Sequence, residues 1–152
     1  MGYNRQKAVE YANQWALSRN PQYYNFDGQG GDCTNFVSQC LYAGYGEMNY
    51  TRDVGWYYAS PANRAAAWSG VEFLHKFLVN NTSMGPKAKE KSLETAQIGD
   101  IIQLSFDGVS FKHSLFVVET YPEILISTHS DNSLRRPLSS YLYAKARLLH
   151  IL

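Results

Sequence analysis

Three side chains have the types, and the order along the chain, that nucleophilic catalysis needs: Cys33, His113 and His129. A thiolate is the nucleophilic form of cysteine, and catalysis needs a base beside it and a further group that orients the base. If the segment between the histidines folds as a hairpin that turns at residue 121, the two imidazoles lie opposite each other on one face. We therefore predict that His113 takes the thiol proton and that His129 fixes the tautomer of His113.

The third position has two competing candidates, because the register of a hairpin depends on its turn. A slip of one or two residues would bring Asp131 or Asn132 beside His113 instead of His129. Each residue also has an ordinary interpretation: most free cysteines are small buried hydrophobes, and most strand histidines are satisfied by a backbone carbonyl. A zinc site of Cys33, His113 and His129 is less favoured, because no HExxH motif or CxxC pair supports it. We expect no metal and no other cofactor.

The segment GGDCTNFVSQCLYAG, residues 30–44, is predicted to position the thiol at the start of a helix. Asp32 is a typical N-cap residue, and Gly44 is a typical residue for ending a helix. A helix N-terminus stabilises a thiolate, and its backbone N–H groups, chiefly that of Cys33, are expected to hold an oxyanion. Cys40 lies two turns further along the same face, about 10 Å away and too far for a disulfide. We expect Cys40 to be packed in the core.

The rest of the pattern places helices before strands. Helical periodicity covers residues 4–19 and 69–79, the latter opening with a capping-box pattern, and residues 80–91 are predicted to be a polar loop. Alternating patterns then predict four strands, at 98–106, 111–119, 123–129 and 146–151. We predict one α+β domain over residues 1–152, with its helices packed on an antiparallel sheet.

A substrate cleft is predicted from the aromatic residues, which make up 14% of the chain. Tyrosine suits grooves that are half apolar and half wet. Tyr23 and Tyr24 precede the thiol and are candidates to donate to the oxyanion, and Asp32 adjoins Cys33. Trp56 belongs to a long aromatic segment that could line the cleft, although such residues also serve to cover a core.

Composition excludes several classes of partner. With a net charge of +1, the chain has no basis for electrostatic binding to nucleic acid or to an anionic membrane. The longest apolar run is too short to span a bilayer, and the N-terminus lacks the charged-then-apolar pattern of a signal peptide.

Five segments carry a resemblance to a known family: YNRQKAVEYA at 3–12, GDCTNFVSQCL at 31–41, GDIIQL at 99–104, KHSLFVV at 112–118 and THSDN at 128–132. In this order they resemble the bacterial putative amidase domain family, which is similar to the NlpC-type and CHAP cysteine peptidases of papain-like fold. The resemblance implies a cysteine-bearing helix packed on a central antiparallel sheet that carries the histidine. It also implies catalytic roles for Cys33 and His113, with His129 at the variable third position.

The resemblance implies amide hydrolysis through a thioester acyl-enzyme. Bacterial cell-wall peptides are the commonest substrates of such enzymes, so we expect a peptide or cell-wall amide substrate. A secreted or cell-envelope location is expected if the chain is part of a longer protein. Two alternatives keep the same fold: a noncatalytic wall-binding or adaptor module, and an acyltransferase in which an amine or alcohol replaces water. The intact set of one cysteine and two histidines favours an enzyme.

Overall fold

Residues 2–152 are described by a computed structural model, with helices in the first half and most strands in the second half. The helices are α1 (Arg5–Trp15), α2 (Cys33–Tyr45), α3 (Ala66–Ser69) and α4 (Val71–Asn80). A small antiparallel pair, β1 (Tyr58–Ser60) and β2 (Asn63–Arg64), precedes α3. The main sheet contains β3 (Ala88–Lys91), β4 (Ile101–Ser105), β5 (His113–Glu119), β6 (Leu125–Thr128), β7 (Ser133–Pro137) and β8 (Lys145–Ile151).

The main sheet is antiparallel throughout, in the spatial order β3-β8-β4-β5-β6-β7. The predicted α+β architecture with an antiparallel sheet is therefore confirmed. The two edge strands, β3 and β7, were not predicted, and β3 falls inside the segment predicted as a loop. β3 carries three exposed charged residues and β7 carries two arginines. Charged side chains protect a sheet edge from pairing with another chain, but they also hide the strand from an apolar pattern.

Both ends of α2 differ from the prediction. Asp32 stands at the N-cap position, but its side chain makes no capping hydrogen bond. The helix continues through Gly44 and ends at Gly46, whose φ of 79° is left-handed. Gly44 instead permits a close helix approach, because a Cβ there would lie 2.6 Å from the carbonyl oxygen of Asn4. Asn4 caps α1, and its side-chain oxygen accepts from the backbone N–H of Lys7 at 3.0 Å.

The capping box predicted for the 69–79 helix does not form. Ser69 is the last residue of α3, and its hydroxyl accepts from Arg64 Nε at 2.9 Å. Glu72 lies in the first turn of α4 but pairs with Arg147 of β8 at 2.7 Å. Side chains from other elements therefore take the partners that a local cap would have used.

Each face of the main sheet is covered by a buried apolar cluster. The α2 face includes Phe36, Val37 and Cys40 and packs on a layer that contains Ile101, Phe116 and Leu149. The opposite face holds a second cluster, made by Ile102, Leu104, Leu115, Val117, Ile126, Leu138, Tyr141 and Leu148. No helix within residues 2–152 is both long and apolar enough to cross a membrane.

Candidate active site

Cys33 is the first residue of α2 and meets the beginning of β5. The thiol is 5% exposed, and its Sγ accepts from the backbone N–H of Ser114 at 3.4 Å. The adjacent Thr34 hydroxyl lies 2.9 Å from the Ser114 hydroxyl, so two contacts join the helix start to this strand. His113 is the residue before Ser114 and therefore lies at the same end of the sheet, with its side chain on the face opposite that of Ser114.

His113 opens β5 and stands between the thiol and a carboxylate. Its Nε2 lies 3.4 Å from Asp131 Oδ2. Two aromatic rings flank the imidazole: the Phe106 centroid lies 6.5 Å away, and Tyr141 presents a T-shaped contact at 6.0 Å. The imidazole is 7% exposed, so access to the pair is narrow.

Cys33 and His113 shift each other's pKa in opposite directions. Burial raises the pKa of the Cys33 thiol, but a hydrogen bond and charge interaction with His113 and the Ser114 N–H lower it, to a net value below the ordinary one. Burial lowers the pKa of His113, but hydrogen bonds with Asp131 and Cys33 raise it to about 9. Both shifts favour a thiolate paired with an imidazolium, the reactive form of a cysteine nucleophile.

Asp131 is itself held by several donors in the turn between β6 and β7. Its Oδ2 accepts from the Tyr141 hydroxyl at 2.7 Å and lies 3.3 Å from Arg136 Nη1, while Oδ1 accepts from the Ser133 hydroxyl at 2.9 Å. Burial raises the pKa of Asp131, but the hydrogen bonds with His113, Tyr141 and Ser133 lower it to about 2. Of the residues considered for the third position, Asp131 is therefore the one that contacts His113.

The predicted line of thiol and two imidazoles does not form, because His129 lies on the other face of the sheet. Phe116 pairs with Ser127, one residue beyond the partner that a hairpin centred on residue 121 would give. A one-residue slip moves side chains to the opposite face. His129 accordingly stacks on Phe36 of α2, with centroids 4.1 Å apart, whereas His113 shares its face with Leu115.

Asp32 and Asn132 also have partners other than those predicted. Asp32 accepts from the backbone N–H of Phe26 at 2.8 Å and contacts His129 Nδ1 at 2.6 Å. The carboxylate is fully buried, so it does not line a cleft, and the first N–H groups of α2 have no side-chain cap. Asn132 accepts from Arg19 Nη2 at 2.9 Å and does not orient His113.

The predicted aromatic cleft is mainly core. Trp56 is 0% exposed and donates from Nε1 to the Ser38 hydroxyl at 3.0 Å. It is therefore part of the core and does not line a cleft. Tyr23 stacks on Trp68 with centroids 5.9 Å apart, in the same helical layer. Tyr24 is half-exposed, and its hydroxyl accepts from Gln29 at 2.7 Å. Neither tyrosine makes a hydrogen bond with the thiol or with His113 among residues 2–152.

Sequence reasoning missed Tyr141 and Phe106, the rings beside His113. Neither belongs to a motif, and Tyr141 is separated from His113 by two strands. Their positions follow from tertiary structure, since β4 pairs with β5 and the segment before β8 covers the second sheet face.

Other features of the molecule lie apart from this site. A cavity of about 450 Å³ opens beside α4, and its lining includes Val54, Phe73 and Phe77 but not Cys33 or His113. Within residues 2–152, no cluster of three or more His, Cys, Asp or Glu side chains is arranged to hold a metal ion.

Comparison with known proteins identifies related sequences. A family model described as "Putative amidase domain" matches residues 2–152. "Uncharacterized protein YhbB" of Bacillus subtilis (strain 168) is 34% identical over 119 residues, which cover 76% of this chain and 37% of the relative. "Uncharacterized protein YjcM" of the same organism is 25% identical over 145 residues, which cover 90% of this chain and 33% of the relative.

The chain therefore spans about a third of the length of these two relatives. No solved structure shows a significant match to it.

Proposed function

The chain belongs to the putative amidase domain family, whose name indicates amide hydrolysis, and we propose that it is a cysteine-dependent amidohydrolase. One observation carries the proposal: Cys33, His113 and Asp131 lie in succession at one end of the sheet, with the pKa of the thiol lowered and that of the imidazole raised. This order of nucleophile, base and orienting carboxylate is what acyl transfer to a thiol requires.

In the first step the Cys33 thiolate attacks the carbonyl carbon of the amide, and the carbonyl π electrons move onto oxygen. The developing oxyanion is stabilised by backbone N–H groups at the start of α2, chiefly that of Cys33. These groups have no partner within the helix and no side-chain cap from Asp32. The carboxylate that was expected to cap the helix thus leaves these donors free for a substrate.

The His113 imidazolium then donates its proton to the leaving nitrogen, the C–N bond breaks, and an amine leaves a thioester on Cys33. Neutral His113 next takes a proton from water as the water oxygen attacks the thioester. Collapse of the second tetrahedral intermediate releases a carboxylic acid and restores the thiolate–imidazolium pair. Asp131 keeps the imidazole oriented and stabilises its cationic form in both steps.

For the substrate we propose peptide amides of the bacterial cell wall. For the fold we propose the papain-like type. The support is the resemblance of five sequence segments to a family similar to NlpC-type and CHAP peptidases. Acyl transfer to an amine or alcohol uses the same first step, and product analysis with added nucleophile distinguishes it from hydrolysis. A noncatalytic wall-binding module would need none of the charge pairing between Cys33 and His113.

The deciding experiment compares the wild type with Cys33→Ala on enzymatically digested peptidoglycan, with fragments measured by mass spectrometry. New fragments with free amino and carboxyl groups are expected only with the wild type. Equal fragments from both proteins would contradict cysteine catalysis. If neither protein changes the digest but wild type alone hydrolyses other peptide amides, the cell-wall substrate is wrong and the amidase mechanism stands.

A further inference from the structure

A second group of charged side chains lies beneath the reactive pair, on the helix side of the sheet. Asp32 and His129 are almost completely buried, at 0% and 1% exposure, and their side chains meet at 2.6 Å between Oδ2 and Nδ1. Arg19 Nε lies 3.3 Å from the same Oδ2, an ion-pair contact without hydrogen-bond geometry. We call Arg19, Asp32 and His129 the buried charge cluster.

Both ring nitrogens of His129 face acceptors. Nδ1 contacts the Asp32 carboxylate, and Nε2 lies 2.8 Å from the backbone carbonyl oxygen of Trp15. A carbonyl oxygen and an ionised carboxylate can only accept, so both ring nitrogens are placed where a hydrogen-bond donor fits. The third member of the cluster, Arg19, also pairs with Asp27, at 2.5 Å between Nη2 and Oδ2. Arg19 therefore bridges a buried and an exposed carboxylate, those of Asp32 and Asp27.

The buried charge cluster is joined to both halves of the reactive site. Asp32 immediately precedes Cys33, and His129 comes two residues before Asp131. Between them, the Ser130 hydroxyl accepts from the backbone N–H of Asp32 at 3.1 Å. A shift of Asp32 against His129 would therefore move the thiol relative to the carboxylate that orients its base.

We propose that the buried charge cluster positions the reactive groups, with Asp32 and His129 holding the start of α2 against the turn that carries Asp131. This inference rests on the proposed function, because it assigns the cluster to the alignment of Cys33, His113 and Asp131. His129 is then a positioning residue rather than the orienter of His113, and it acts through Asp32.

The test measures the rate of Cys33 alkylation by iodoacetamide as a function of pH, with peptide mapping to separate Cys33 from Cys40. Asp32→Asn and His129→Gln are each expected to raise the midpoint by roughly one pH unit, which means about tenfold less thiolate below the midpoint. The reason is that both variants loosen the same alignment. A direct charge effect alone would instead lower the midpoint in Asp32→Asn, because that variant removes a negative charge beside the thiol.

The chain offers a matched control in a second Asp-centred cluster. Asp100 is also fully buried and contacts one arginine and one histidine, Arg5 at 2.7 Å and His150 at 3.0 Å. Asp100→Asn is expected to lower the melting temperature as Asp32→Asn does, but to leave the Cys33 midpoint at the wild-type value. An equal midpoint shift in Asp100→Asn would attribute the effect to general destabilisation and overturn the positioning role.

Arg19→Lys keeps the test decisive if the buried variants do not fold, because the Arg19 side chain is partly exposed and the substitution keeps the positive charge while removing the guanidinium contacts. A smaller upward shift of the midpoint is expected for it. Folded variants with the wild-type midpoint, or shifts of opposite sign, would overturn the positioning role while leaving the proposed function intact. A wild-type midpoint at the ordinary thiol value would instead count against the reactive pair itself.

Discussion

Cys33 and Cys40 lie on the same helix, two turns apart, and both are free and buried, yet their thiols have opposite properties. Burial raises the pKa of Cys40 well above its ordinary value. Burial acts in the same direction on Cys33, but His113 and the Ser114 N–H outweigh it, so the pKa of that thiol is lowered. The difference between the two pKa shifts therefore comes from polar groups that β5 supplies at the helix start, and not from exposure.

The positions of the two cysteines along α2 explain this difference. Cys33 stands in the first turn, where the helix has unpaired N–H groups and meets the end of the sheet. Cys40 lies mid-helix within the apolar cluster that contains Phe36 and Phe116, where a hydrogen bond with its own backbone only partly opposes the effect of burial on its pKa. The comparison leads to predictions in which each change should affect one end of the helix more than the other.

Cys33→Ala should have the largest effect. Removing the nucleophile is expected to lower the rate on any amide substrate of the wild type by on the order of 10⁴-fold or more. Cys40→Ala is the matched variant: it should keep the reaction but lower the free energy of unfolding by about 1–2 kcal/mol, because it leaves a small cavity. Activity assays and thermal denaturation of both variants measure this. Loss of activity in a folded Cys40→Ala, with Cys33→Ala active, would reverse the assignment.

His113→Gln should come next. Loss of the base and proton donor is expected to lower turnover by about 10²- to 10⁴-fold. It should also move the alkylation midpoint of Cys33 up towards the ordinary thiol value, since the hydrogen bond and charge that lower that pKa are gone. His150→Gln, which alters another histidine paired with a buried aspartate, should leave both measurements unchanged. If His113→Gln leaves the Cys33 midpoint unchanged, His113 does not lower the pKa of the thiol and the reactive pair is excluded.

Asp131→Asn is expected to have a smaller effect, of about ten- to a hundredfold on turnover, because a hydrogen bond to a charged group contributes about 1.5–3 kcal/mol. Its signature is the alkaline side of the pH profile. Asp131 raises the pKa of His113, so without its charge the imidazolium should lose its proton at a lower pH than the wild type's value of about 9. The alkaline limit of the pH–activity profile should therefore move to lower pH. An unchanged alkaline limb would exclude Asp131 as the orienting group.

Sequence patterns predicted the helix that carries Cys33 because its signals are local. Helical periodicity places α1 and α2 at their observed starts, although Asp32 and Gly44 serve tertiary contacts instead of ending the helix. Alternation likewise predicts the four inner strands of the sheet. It fails for β3 and β7, whose charged residues leave no alternating apolar pattern to detect.

The third member of the site could not be predicted, because it depends on the register of one hairpin. The turn end of the hairpin pairs Glu119 with Leu125, which centres it on residue 122, and a register shift between Val117 and Glu119 then places Phe116 opposite Ser127. Residues near 113 therefore face partners one position later than a hairpin centred on residue 121 gives. That single step moves His129 to the helix side of the sheet. Asp131, the alternative that a slip would favour, lies beside His113 instead. No local residue pattern reports such a bulge.

Tyr141→Phe should have the smallest effect and tests how far the polar surroundings of the reactive end extend. The variant keeps the ring that contacts His113 but removes the hydroxyl that donates to Asp131 at 2.7 Å. Ser133 and Arg136 still contact Asp131, so we expect turnover to fall only about two- to tenfold, as for loss of one hydrogen bond of 0.5–1.5 kcal/mol.

Tyr143→Phe, two residues along at a partly exposed position, is the control and should match the wild type, while Cys40 and its neighbours should be unaffected in both variants. Steady-state kinetics and the Cys33 alkylation profile measure the difference. If Tyr141→Phe behaves like the wild type, the polar groups that distinguish Cys33 from Cys40 are His113, Ser114 and Asp131, and Tyr141 is not one of them. A loss as large as that of Asp131→Asn would mean that the carboxylate depends on this one donor for its position.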